Sequence, residues 1–103
     1  MKKIMIVEDD KTVASELYDL LVNASYEAII LEDFKNAKER IMDSNIDLIL
    51  LDINIPFLNG ELLLKEIRKE SNIPVIMITS KTNETDEVLS MSYGADDYIT
   101  KPY

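Results

Sequence analysis

Two side chains that carry much of protein chemistry are missing from these 103 residues: there is no cysteine and no histidine. Without cysteine there is no disulfide framework, no thiolate zinc site and no thiol nucleophile, and nothing points to an oxidising compartment. Without histidine the commonest general base and the commonest metal ligand are gone as well. Any metal held here is held by oxygen, which favours magnesium, calcium or manganese over zinc. Cationic residues are also few, 11 Lys and Arg against 20 Asp and Glu, for a formal charge of −9. Phosphate neutralisation needs clustered Lys and Arg, so direct nucleic-acid binding by this segment is not expected. No apolar run is long enough to span a bilayer, and no charged n-region with a long apolar stretch marks a signal peptide. The chain therefore reads as cytoplasmic, with no membrane partner. Its length suits one domain, residues 1–103, with a single core and no staples.

What is present is an alternation of apolar runs with amphipathic stretches. KIMIV (3–7) is a short continuous strand followed at once by Glu8, Asp9 and Asp10. Val13, Leu17, Leu20, Leu21 and Ala24 then recur at helical spacing, for a helix of about four turns. EAIIL (27–31) is a second strand, and Asp33 can cap a helix through roughly Ser44 with Phe34, Ala37 and Ile41 inward. DLILLD (47–52) is a third strand. Pro56, Asn59 and Gly60 mark a turn, and the next helix reaches about Glu70 with Leu63, Leu64 and Ile67 inward. PVIMIT (74–79) is a fourth strand, a weaker helix covers roughly Glu84 to Ser92 before Gly94, and DDYIT (96–100) alternates like an edge strand. Five strands interleaved with helices predict a doubly wound α/β fold with a parallel sheet built by right-handed crossovers. The unbroken apolar character of strands one, three and four predicts burial on both faces.

In such a sheet, ligands bind beyond the carboxyl ends of the strands where strand order reverses. Glu8 and Asp9 end the first strand, Asp52 the third, Thr79 and Ser80 the fourth, and Lys101 follows the fifth. If strands one and three are neighbours, Glu8, Asp9 and Asp52 converge, and three carboxylates so close repel one another unless a cation sits among them. Oxygen ligands and water suit Mg²⁺. With Lys101 and Thr79 on the other side, the surround suits a phosphoryl group on an Asp52 oxygen.

Each residue alone has a plainer reading. Asp52 can be a strand terminator, Glu8-Asp9-Asp10 a capping cluster at a helix start, Thr79 a strand former, and Lys101 a solvated lysine. Tyr98 can be the amphipathic side of an edge strand, and Met5, Met42, Met77 and Met91 are core filler. The conjunction of complementary groups at one edge of four strands shifts the balance toward chemistry.

The residues IMIVEDD (4–10), LILLDINIPFLNG (48–60), PVIMITSK (74–81) and GADDYITKPY (94–103) together resemble the receiver domain of bacterial response regulators, over the whole chain. The GADDY stretch is closest to regulators of the winged-helix OmpR/PhoB type. The resemblance implies a flavodoxin-like sheet of order 2-1-3-4-5, with Asp52 accepting a phosphoryl group from a histidine on a separate sensor kinase. It implies that Asp9, Asp52 and the backbone carbonyl of Asn54 ligate Mg²⁺, with Glu8 acting through a water. Thr79 and Lys101 would contact the phosphoryl group and, with Tyr98, form the switch, while Asn54 and Lys81 would tune phosphoryl lifetime. The Lys101–Pro102 bond is typically cis in this family.

Two features depart from the family's pattern. Glu87 stands where dimerising members often carry a basic residue. A fifth helix is absent from the sequence, and the expected reading is an N-terminal piece of a longer regulator with an output domain to follow. Without that helix, apolar residues from strands three to five (some of Ile49, Leu51, Val75, Met77 and Ile99) are expected to lie uncovered beside the first helix. At about 25 cal/mol per Å², a bare patch of a few hundred Å² forfeits a few kcal/mol, so self-association or exchange of an element between chains is expected.

Two other classes compete. An aspartyl-phosphate hydrolase of the haloacid dehalogenase type places a second Asp two residues beyond its nucleophile, where this chain has Asn54, so an enzyme turning over external phosphoesters is not expected. A degenerate receiver serving only protein interaction would lack the acidic pair, the hydroxyl or the lysine, and all are present.

Overall fold

A computed structural model describes residues 1–52, 60–79 and 95–100. Five parallel strands form one sheet in the order β2-β1-β3-β4-β5. In chain order the elements are β1 (Lys3–Val7), α1 (Lys11–Asn23), β2 (Glu27–Ile30), a 3₁₀ turn (Phe34–Asn36), α2 (Ala37–Asp43), β3 (Leu48–Asp52), α3 (Gly60–Arg68), β4 (Val75–Thr79) and β5 (Asp97–Thr100). The weak helix expected over 84–92, and the turn at Pro56 and Asn59, fall outside the described residues.

Parallel pairing with crossovers buries both faces of the central strands, so alternate residues feed two different cores. Ile4, Ile6, Leu50 and Ile78 pack with Ala14 and Leu17 on the α1 face. Met5, Val7, Ile49, Leu51, Val75 and Met77 pack on the opposite face, together with Ile41 of α2 and Leu63, Leu64 and Ile67 of α3. This corrects the sequence expectation for four of the five residues named as uncovered; the side chain of Ile99 falls outside the described residues. Ile49, Leu51, Val75 and Met77 are each 0% exposed, sealed under α2 and α3. The α1 face instead carries Leu48, Leu50, Ile76 and Ile78, and beside α1 it opens into an apolar groove of about 580 Å³. Leu17, Leu20 and Leu21 form one wall of that groove, and Leu50, Ile76 and Ile78 form its floor.

The helix ends explain where each element starts. Asp10 caps α1, its Oδ1 accepting from the backbone N–H groups of Thr12 at 3.0 Å and Val13 at 3.2 Å. At the other end the Ala24 N–H donates to the Leu20 and Leu21 carbonyls. Ser25 then takes φ 71°, a left-handed position that reverses the chain into β2. Asp33 accepts from the backbone and side-chain nitrogens of Asn36, which winds the start of the second helical segment as a 3₁₀ turn rather than the α-helix expected from Asp33 onward. These bonds, the Asn36 side chain foremost, hold the Asp33 carboxyl below its ordinary range, and Arg40 adds to the effect. Asn45, at φ 52°, closes α2 as an asparagine can.

Asp10 sits one residue from the chemistry yet serves the helix, which gives a test. Asp10→Ala is expected to cost about 1 kcal/mol of stability, as loss of an N-cap does. Urea unfolding checks the cost, and the metal affinity of the neighbouring carboxylates is expected to be unchanged.

Candidate functional site

Register brings the acids together. β1 and β3 are adjacent and parallel, with Ile6 opposite Leu50 and Val7 opposite Leu51. One step further along both strands lie Glu8 and Asp52, side by side at the carboxyl edge of the sheet. Strand order reverses here, since β1 is flanked by β2 on one side and β3 on the other, and this is where a doubly wound sheet leaves a crevice. Glu8 and Asp52 are each only 4% exposed, while Asp9 is exposed. Carboxylate oxygens of Glu8, Asp9 and Asp52 all lie within 4.8 Å of one another. Of the three consecutive acids 8–10, Asp10 alone turns to the helix.

Three carboxylates in that space, two of them buried, form a strongly anionic pocket in which any divalent cation would find hard oxygen ligands. Octahedral coordination at about 2.1 Å places adjacent ligand oxygens about 3 Å apart, so these carboxylates would draw closer together around a shared ion. A cleft of about 540 Å³ opens beside the cluster, lined by Glu8, Asp9, Lys11, Glu32 and Phe34 among others. The larger groove on the α1 face is apolar, and none of the three carboxylates lines it.

The remaining predicted residues are placed in part. Asp52 pairs with Ile78 of β4, so Thr79 comes one residue further along at the same edge. Thr79 in turn pairs with Thr100, and Met77 with Tyr98. The backbone of Thr79 therefore sits on the strand next to Asp52 and that of Tyr98 one strand further out; their side chains, and Asn54, Lys81 and Lys101 altogether, fall outside the described residues. Sequence reasoning missed one polar constellation at the opposite edge. Arg68 Nη2 donates to Asp96 Oδ2 at 2.8 Å, and the same oxygen accepts the Val75 N–H at 2.8 Å. No short motif signals a pair 28 residues apart.

A parallel sheet of order 2-1-3-4-5 carrying a partly buried acidic cluster at its switch point defines a doubly wound α/β fold with a carboxylate-lined site. Known proteins narrow this further. Residues 4–103 match the family model described as the response regulator receiver domain, and the chain belongs to that family. It is 39% identical over 103 residues to the sensory transduction protein RegX3 of Mycolicibacterium smegmatis, and 41% identical to the transcriptional regulatory protein CpxR of Escherichia coli. All of the chain is covered in both, but only 45% and 44% of those proteins, so it spans less than half the length of these curated relatives. Among solved structures, the N-terminal domain of the nisin resistance regulator NsrR superposes with a TM-score of 0.90 at 43% identity, covering 100% of this chain and 87% of that one. The BeF3-activated receiver domain of Klebsiella pneumoniae RstA gives 0.93 at 31% identity, covering 99% and 87%. Receiver domains are signalling switches, and no helix among the described residues is long and apolar enough to cross a membrane.

Proposed function

We propose that this chain is the phosphoacceptor module of a two-component system, with Asp52 as the acceptor. A phosphorylated histidine on a sensor kinase is the donor. The N–P bond breaks, an Asp52 carboxylate oxygen takes the phosphoryl group, and the histidine leaves as imidazole. Asp9, Asp52 and the Asn54 carbonyl are assigned as Mg²⁺ ligands, with Glu8 acting through a water. A bound Mg²⁺ supplies neutralisation of the charge on the phosphoryl oxygens. Thr79 and Lys101 bond the transferred group, Tyr98 responds to it, and Asn54 and Lys81 flank the path of attacking water and set its lifetime. The convergence of Glu8, Asp9 and Asp52 within 4.8 Å carries this reading.

The same reading makes the module a switch that phosphorylates and dephosphorylates itself, in the cytoplasm, rather than an enzyme acting on external esters. It controls an output domain in the full-length protein, of the winged-helix DNA-binding type. That CpxR is a transcriptional regulatory protein, and that both relatives are more than twice as long as this chain, support that assignment. Alone, the 103-residue chain associates with itself through the groove beside α1. Leu20 on its rim is 61% exposed, so each copy offers both a protruding apolar side chain and a recess, as a two-fold contact requires.

Incubation with Mg²⁺ and a small phosphoryl donor, followed by weighing the intact protein, tests the reading. A single phosphoryl adduct, lost when the metal is chelated beforehand, is expected. Continuous release of phosphate would indicate a hydrolase instead, and an unchanged mass would leave only an interaction module. For the switch, Thr79→Ala is expected to accept phosphate without propagating it. Resonances around Tyr98 then shift on phosphorylation in the wild type and stay in place in the variant; equal shifts in both would remove Thr79 from the switch.

A further inference from the structure

Among the described residues, β5 is a four-residue strand bonded to the sheet along β4 alone. A ladder this short resists sliding weakly, and a slip of one residue would turn every side chain to the opposite face. The structure anchors it from the far end. Asp96, just ahead of β5, grips Val75 twice: its N–H donates to the Val75 carbonyl at 2.8 Å, and its Oδ2 accepts the Val75 N–H at 2.8 Å. Arg68, the last residue of α3, binds the same Oδ2 through Nη2. Its Nη1 donates to the Ile73 carbonyl at 2.6 Å and to the Ser71 carbonyl at 3.4 Å. The Arg68 side chain is 19% exposed. One guanidinium and one carboxylate oxygen thus tie together the end of α3, the connection to β4, the first residue of β4 and the approach to β5.

Charge attraction between partly exposed groups contributes little to stability. The value of this arrangement is geometric: it leaves one register, with Ile76 opposite Asp97 and Thr79 opposite Thr100. We infer that Arg68 and Asp96 are positioning residues for the phosphoryl site, acting across the length of β5 to fix where its carboxyl end lies beside Thr79. The inference rests on the receiver reading for its consequence, because that end leads into Lys101.

Asp96→Ala removes both side-chain bonds, and Asp96→Asn keeps an acceptor for Val75. In Asp96→Ala, amide hydrogens of Tyr98, Ile99 and Thr100 are expected to exchange faster while those of β1 and β3 keep their protection. Phosphoryl gain from a small donor at saturating Mg²⁺ is expected to fall at least tenfold, since a misplacement of about 1 Å can cost on the order of a hundredfold. Mg²⁺ affinity is expected to stay at the wild-type value, as Asp9 follows β1 and Asp52 ends β3, away from β5, and Asp96→Asn is expected to recover most of the rate. Where Asp96→Ala fails to fold, Arg68→Met gives the same readouts with the Asp96–Val75 bonds in place. Uniform loss of protection across the sheet, or wild-type rate and β5 protection in the variant, would overturn the inference. A wild-type chain that gains no phosphate would count against the receiver reading, while the exchange data still decide the clamp.

Discussion

Asp52→Asn is expected to fold normally and to gain no phosphoryl group from any donor. The amide has nearly the shape of the carboxylate, and the position is 4% exposed between neighbouring strands, so packing is preserved while the nucleophile is lost. One of three mutually repelling carboxylates also becomes neutral. In the absence of metal the variant is therefore expected to be at least as stable as the wild type. Binding to the native state alone raises stability in proportion to the logarithm of ligand over Kd. Added Mg²⁺ is thus expected to raise the melting temperature of the wild type clearly and of Asp52→Asn much less. Intact mass and paired melting curves supply both readouts. An Asp52→Asn protein that gains phosphate at the wild-type rate would end the assignment of the acceptor.

The second large effect is on association. At high concentration the 103-residue chain is expected to sediment as a dimer or larger species that dissociates on dilution. Leu20→Glu is expected to return it to a monomer, because each two-fold contact would then press a carboxylate into the partner's apolar groove in a chain that already carries a charge of −9. Leu20 stands on the exposed rim, so the variant is expected to fold and to gain phosphate at the normal rate. A wild-type chain that remains monomeric across the concentration range would show that the groove tolerates water, and the proposed contact would fall.

The sheet was legible because β1, β3 and β4 are unbroken apolar runs ended by polar residues, a pattern that few arrangements other than a buried parallel sheet produce. The same feature concealed which way each side chain points. A run such as LILL has no polar alternation to reveal a face, so Ile49 and Leu51, which the pattern leaves as candidates for the side beside α1, prove to lie under α2 and α3. Only pairing and crossovers settle the parity. Asp9 and Asp10 pose the same difficulty on a smaller scale: they are adjacent and chemically alike, yet one joins the acidic cluster and the other caps α1. Composition cannot separate them, because the choice depends on where the first turn of the helix begins. Arg68 and Asp96 escaped notice for a third reason. Their bond connects the end of one crossover to the start of another strand, and neither residue belongs to a pattern of its own.

β1 has both neighbours supplied from elsewhere in the chain, and one of them comes late. The Lys3 N–H bonds Asp47 across 44 residues of sequence, and the β1–β3 ladder follows from that point. Contacts so distant form only after the intervening chain has given up its freedom, which makes them slow steps in folding. Glu8 and Asp9 lie on one side of that closure and Asp52 on the other. A newly made chain that has assembled only β1, α1 and β2 holds two of the acids and no acceptor. On the receiver reading proposed above, competence to receive a phosphoryl group is expected to arise with the longest-range pairing through β1, leaving incompletely folded molecules silent to the donor.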